Sequence, residues 1–270
     1  MKKSRFWCSV ISLIVMLALI YLQITRFFIQ EKINLIIYLI MILILIFNLR
    51  LRKNERNQLM SIMSCYAMNC DAERYLHDLT DFYSRCYFSK ANKRYQKIIL
   101  AMINMDLGLF DVEKEYLLSL ADYVDKFPEF QRYTYYRAWT TYYYEYKEMK
   151  RFKVLLDEMK KIVESSKGKM QLQLLANYNL VEAKYNICNG IFLDEARNVF
   201  QEILSLNTAP ILRLSSHYYL GVIYFKKNDF TRAQEEFKYV ACSEKNVYIV
   251  EKSKKYLQII DANRWLFDIW

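Results

Sequence analysis

Side chains that ordinarily carry chemistry are few and scattered in this chain. Two histidines, His77 and His217, lie 140 residues apart, and no His-Glu-x-x-His or Cys/His grouping offers metal-ligand spacing. Four glycines in 270 residues cannot build a phosphate-cradling loop, and no serine stands in a Gly-x-Ser-x-Gly elbow. Glu113/Glu115 and Glu235/Glu236 read as solvated helix faces, and His217 as a packed side chain among tyrosines. The six cysteines (Cys8, Cys65, Cys70, Cys86, Cys188 and Cys242) form no C-x-x-C pair, so they read as reduced residues on apolar faces. No catalytic residue, cofactor or metal is expected. Recognition chemistry remains. Tyr133, Tyr135, Tyr136, Trp139, Tyr142, Tyr143, Tyr144 and Tyr146 cover nearly all sides of one segment. Neighbours must sandwich such a helix, and Tyr136, Trp139 and Tyr143 are the candidates to meet a partner, because tyrosine and tryptophan dominate interface hot spots.

The elements that position these residues are marked by helix breakers. Gly108 and Gly190 are 82 residues apart, as are Phe110 and Phe192, and Pro128 and Pro210. A turn followed by an aromatic recurs at 110, 152, 192 and 230. Even punctuation of this kind marks a solenoid of helix pairs. Apolar spacing of three and four residues, as in Leu174, Tyr178, Val181, Tyr185 and Cys188, selects helix over strand. The predicted pairs are 57–67 with 71–87, 90–107 with 111–126, 129–147 with 150–165, 170–188 with 192–206, and 210–227 with 230–243. A helix at about 247–262 caps the open end, and the apolar tail Trp265 to Trp270 folds back over it. Glycine suits a left-handed turn inside a pair, and proline the start of a new helix. Gly221, inside a helix, points to close approach of a neighbour.

Residues 216–237 carry Leu220, Gly221 and Tyr224 on a first helix, then Ala233 and Phe237 on a second. This spacing resembles the tetratricopeptide repeat (TPR). The preceding unit is similar in its second half, with Gly190, Phe192, Ala196 and Phe200. Earlier units keep only the turn and an aromatic, and Glu113 and Leu155 stand where a small residue is expected. The resemblance is clearest over 214–243. It implies that these nine residues pack helix against helix, and that a concave surface of first helices binds an extended peptide or helix. On the last repeat it places Ser215, Tyr218, Val222, Phe225 and Lys226 on that surface.

The first 53 residues have a different composition. Twenty uncharged residues separate Arg5 from Arg26, and 17 separate Lys32 from Arg50. About 20 helical residues cross a ~30 Å hydrocarbon layer, so helices at about 6–25 and 33–49 are expected to form a transmembrane hairpin. No small-x-small cleavage site follows the first stretch. Lys2, Lys3 and Arg5 at one end and Arg50, Arg52, Lys53 and Arg56 at the other place both termini in the cytoplasm, at the plasma membrane. The lysine-, isoleucine-, asparagine- and tyrosine-rich composition suits a bacterial gene.

The net charge is +10, from 39 basic and 29 acidic residues. The surplus is spread along helix faces without a dense patch, which argues against nucleic acid. The sequence therefore predicts an all-α chain: an anchor over 1–53, then a cytoplasmic domain over 54–270 of about five TPR-like pairs and a capping helix. The expected function is a non-catalytic adaptor for a protein or peptide partner. An assembly subunit, whose hairpin makes the specific contacts, is the alternative.

Overall fold

The computed structural model describes residues 12–22, 31–86, 90–206 and 208–267. Every regular element among them is helical: α1 (12–22), α2 (Glu31–Asn69), α3 (Ala72–Arg85), α4 (Lys90–Asp106), α5 (Phe110–Leu118), α6 (Glu129–Glu145), α7 (Met149–Ser165), α8 (Gly168–Asn189), α9 (Leu193–Ser205), α10 (Pro210–Lys226), α11 (Phe230–Ala241) and α12 (Tyr248–Phe267). A 3₁₀ turn, Ala121–Lys126, joins α5 to α6. The chain divides into two compact units. One comprises Met1–Ser64 with His77–Ser89, the other Cys65–Leu76 with Lys90–Trp270.

Helix α2, most of which lies in the first unit, runs for 39 residues without a break. The sequence reading ends a helix near 49 and starts another near 57. The intervening Arg50, Arg52, Lys53 and Arg56 are good helix formers and no glycine or proline interrupts them, so the helix continues through the basic run. The side chains from Ile37 to Leu49 are apolar except Tyr38 and Asn48, and large ones such as Leu39, Leu43 and Phe47 are exposed. At 1.5 Å per residue that stretch is about 20 Å long. Among the described residues, no helix is long and apolar enough to cross a membrane. The rest of the expected first helix lies outside the described residues.

The second unit is built from one repeated joint. Gly108, Lys147, Gly190 and Asn228 all have positive φ, at 77°, 56°, 69° and 58°. At each, the N–H bonds to the carbonyl three residues back, and the next N–H reaches five back: Leu109 to Asn104, Glu148 to Tyr143, Ile191 to Asn186 and Asp229 to Tyr224. This is the Schellman end of a helix, which satisfies carbonyls that the helix itself leaves open. Seven residues before each joint stands a small buried side chain or none: Ala101, Thr140, Ala183 and Gly221. At Gly221 a Cβ would meet Phe237 Cε1 at 2.7 Å, so the close approach expected there is present.

The first turn of each second helix presents one fully buried residue, Glu113, Phe152, Ala196 or Ala233, followed one turn later by Leu117, Leu156, Phe200 or Phe237. Unit three thus fills the small-residue slot with Phe152, not Leu155, which is only half-buried. Phe192 also departs from expectation. It is 63% exposed with φ of 47°, because the joint before α9 is one residue longer and places the aromatic at the N-cap. It packs nothing. Leu220, Tyr224, Ala196, Phe200, Ala233 and Phe237 are buried, and Gly190 supplies a left-handed turn.

Helices adjacent in sequence from α6 to α12 pack on one another, as do α4 and α5. The first helices also form a series, α4 on α6, α6 on α8, α8 on α10, α10 on α12, and α12 packs back on α4. The last helix was expected to cap an open end; it meets the first pair. The ring of Tyr248 lies 5.2 Å from that of Phe110, and a Cβ at Gly108 would collide with it at 2.6 Å. Of the tail, the side chains from 263 onward lie outside the described residues.

Candidate functional site: a polar wall lined with tyrosine

The inner wall of α4, α6, α8, α10 and α12 carries charges that apolar helices would not hold at random. Asp106 ends α4, Arg137 and Glu145 lie on α6, Lys184 on α8 and Lys252 on α12. Each is half-buried. Lys252 Nζ lies 2.6 Å from Glu145 Oε2 and over the rings of Tyr248, Tyr218 and Tyr144 at 5.3, 5.9 and 5.9 Å. Arg137 Nη1 donates to Asn177 Oδ1 at 3.0 Å. Lys184 Nζ sits 4.8 Å above the ring of Tyr219. Such a face attracts a cation through the ring quadrupole.

Electrostatics follow from this enclosure. Burial, reinforced by the neighbouring Arg137 guanidinium, lowers the Lys184 ammonium to about 8, against the pull of Asp106 and Glu145. Burial raises the Asp106 carboxyl, while a hydrogen bond from Tyr66 and the charges of Lys184 and Arg137 oppose that rise. Withdrawal from water disfavours the charged form of either group. The tyrosines around them are pushed upward by burial, as at Tyr144 and Tyr219. The wall can therefore hold polar or charged groups of a ligand through short, poorly screened contacts.

Of the residues singled out in the sequence, Tyr218 lends its ring to this wall beneath Lys252; the others fall elsewhere. Trp139 is buried, stacked on Tyr143 at 5.4 Å and edge-on to Tyr142 and Tyr135, and Tyr136 and Tyr143 pack half-buried against the same cluster. Tyrosine hydroxyls of this helix find backbone partners, Tyr133 on Leu174 O and Tyr135 on Leu117 O. Most of the aromatic run is packed, while Tyr146 is 48% exposed. Tyr218 and Val222 are 1% and 3% exposed, so neither is open to a partner. Tyr256 of α12 lies 6.4 Å from the Tyr218 ring and 5.2 Å from that of Phe225, which is where an open array would leave a groove. Ser215 is half-buried and its hydroxyl bonds back to Ile211 O. Lys226 stays exposed, reaching Cys188 O at 3.4 Å. His217 packs on Tyr239 and bonds to Glu236 through Nδ1 at 2.6 Å.

Asp106, Arg137, Glu145, Lys184 and Lys252 were missed, because in sequence they look like ordinary exposed helix charges. Among the described residues, no group of His, Cys, Asp and Glu could hold a metal ion, and Cys65, Cys70, Cys86, Cys188 and Cys242 are free thiols.

No family model matches this sequence, and comparison with curated proteins and with solved structures gives no match.

Proposed function

We propose that this chain is a membrane-attached, non-catalytic scaffold whose TPR-like helix pairs bind a protein or peptide segment at the cytoplasmic face. The observation that carries the reading is α2. Its stretch from Ile37 to Leu49 exposes large apolar side chains around most of its circumference, with Ile37, Met41, Ile44 and Asn48 forming one half-buried stripe, and the same unbroken helix ends at Asn69. Apolar surface of that extent is unfavourable in water and calls for lipid or an apolar neighbour. Together with the preceding uncharged segment it makes the transmembrane hairpin, and the cations on either side set its orientation. The repeated joints support a TPR-like array, and the polar inner wall supplies its binding surface.

Fractionation tests the attachment. The full chain is expected to stay in the membrane pellet after an alkaline carbonate wash. The exposed Cys242 should react with an impermeant maleimide only after the cytoplasmic side is opened. Recovery in the carbonate supernatant would refute the anchor. Replacing residues 1–49 with an unrelated hairpin separates scaffold from assembly subunit, since only the scaffold keeps its partner.

A further inference from the structure

We propose that residues 65–76 are a built-in occupant of the inner wall, and that an outside partner binds by displacing them with a segment of the same chemistry, a helix end bearing a tyrosine. The inference rests on the reading of the array as a binding scaffold. Residues 65–76 cluster with Lys90–Trp270 rather than with the stretches that flank them in sequence. Tyr66 is the anchor. Its hydroxyl donates to Asp106 Oδ2 at 2.5 Å, and its ring stacks on that of Tyr75 at 4.4 Å with an interplanar angle of 5°. Cys70 and Ala72, 1% and 0% exposed, belong to the same apolar cluster as Tyr144, Tyr218 and Tyr219.

The backbone joins in as well. Ala72 N–H donates to Asn246 O at 3.1 Å, and Asn246 Nδ2 donates to Glu73 at 3.1 Å. The segment therefore combines an aromatic anchor, a small buried turn and main-chain pairing, which is how a peptide occupies a receptor. Two features make it exchangeable. Cys70 holds φ of 53°, a left-handed conformation unfavourable for a side-chain-bearing residue, so the turn persists only while its surroundings impose it. Its side-chain anchor is the bond from Tyr66 to Asp106, whose carboxylate needs a donor once withdrawn from water. A tyrosine delivered by a partner supplies the same bond.

The test uses the full chain and a labelled synthetic peptide of residues 65–76 under reducing conditions. The variant Tyr66→Ala should bind the peptide at least about tenfold more tightly than the unaltered chain, whose wall is filled. A peptide carrying Phe for Tyr66 should bind that variant about tenfold more weakly, having lost a hydrogen bond to a buried charge. Hydrogen exchange of the unaltered chain gives a second readout that needs no variant. Amides at 70–75 should exchange by local opening, at least about tenfold faster than those of 219–224 in α10. Equal peptide affinity for both chains, or exchange at 70–75 as slow as in α10, would overturn the proposal. Neither result bears on membrane attachment, and failure of the carbonate test would leave this one standing.

Discussion

Glu145 near the end of α6 and Lys252 on α12 form an ion pair at 2.6 Å across 107 residues of sequence. With side chains only 15% and 21% exposed, the pair helps fasten the last helix to the inner wall. Removing one partner strands the other charge. Lys252→Met should cost about 1–3 kcal/mol of stability, between the values for exposed and fully buried pairs. Adding Glu145→Gln should restore about 1 kcal/mol or more, a coupling that a double-mutant cycle by urea unfolding measures directly. Strictly additive losses would show that the contact does not hold the wall.

Glu113 occupies the slot that alanine fills in the last two repeats. It is fully buried and neither carboxylate oxygen has a hydrogen-bond partner. Burial first, then the charges of Asp106 and Glu145, push its carboxyl from 4.5 up to about 9. The folded state thus holds a proton that the unfolded chain releases above about pH 4.5. Its contribution to stability is whole below that pH and is lost as pH rises toward 9, at about 1.4 kcal/mol per unit. Between pH 5 and 8, Glu113→Gln should lose about 4 kcal/mol less stability than the unaltered chain, which parallel urea titrations would reveal.

The left-handed joints make a graded prediction. Lys147 holds φ of 56°, so Lys147→Gly should stabilise by about 0.5–1 kcal/mol. Gly190→Ala, with φ of 69° and open space around it, should cost about 1 kcal/mol through backbone strain alone. Gly108→Ala should cost more, since its methyl would lie 2.6 Å from Tyr248 Cδ2. Thermal melts of the three variants should rank in that order.

Packing at the two aromatics read from the repeat pattern should separate them. Phe237→Ala removes a fully buried ring beside Gly221 and should cost about 3–5 kcal/mol. Phe192→Ser alters an exposed N-cap side chain and should stay within about 0.5 kcal/mol of zero, or gain, since serine caps helices well. A large loss at Phe192 would restore the packing role assigned from the sequence.

How much could be read beforehand depends on the range of each effect. Helix ends were legible where Gly108, Gly190, Pro128 and Pro210 mark them, because a positive φ or a missing N–H is a local constraint. Equivalent joints at Lys147 and Asn228 carry no such mark, so unit three was read in the wrong register and Phe152 was not matched to Ala233. The continuity of α2 was hidden by cations that look like a boundary yet favour helix. The polar wall was illegible for a different reason. Whether Lys184 or Lys252 faces water depends on long-range contacts, to Tyr219 and to Glu145, that local periodicity does not encode. Another such contact, Tyr256 of α12 beside the Tyr218 ring, covers a side chain that an open array would expose.

The most direct measurement places a photoreactive residue at Lys184 in the full chain, in its host cell, with a control at Leu172, an exposed residue of the same helix (69%). The account predicts a covalent adduct with a second protein from position 184 and not from 172. Adducts confined to this chain from both positions, or the same foreign adduct from both, would contradict an inner wall that holds a partner.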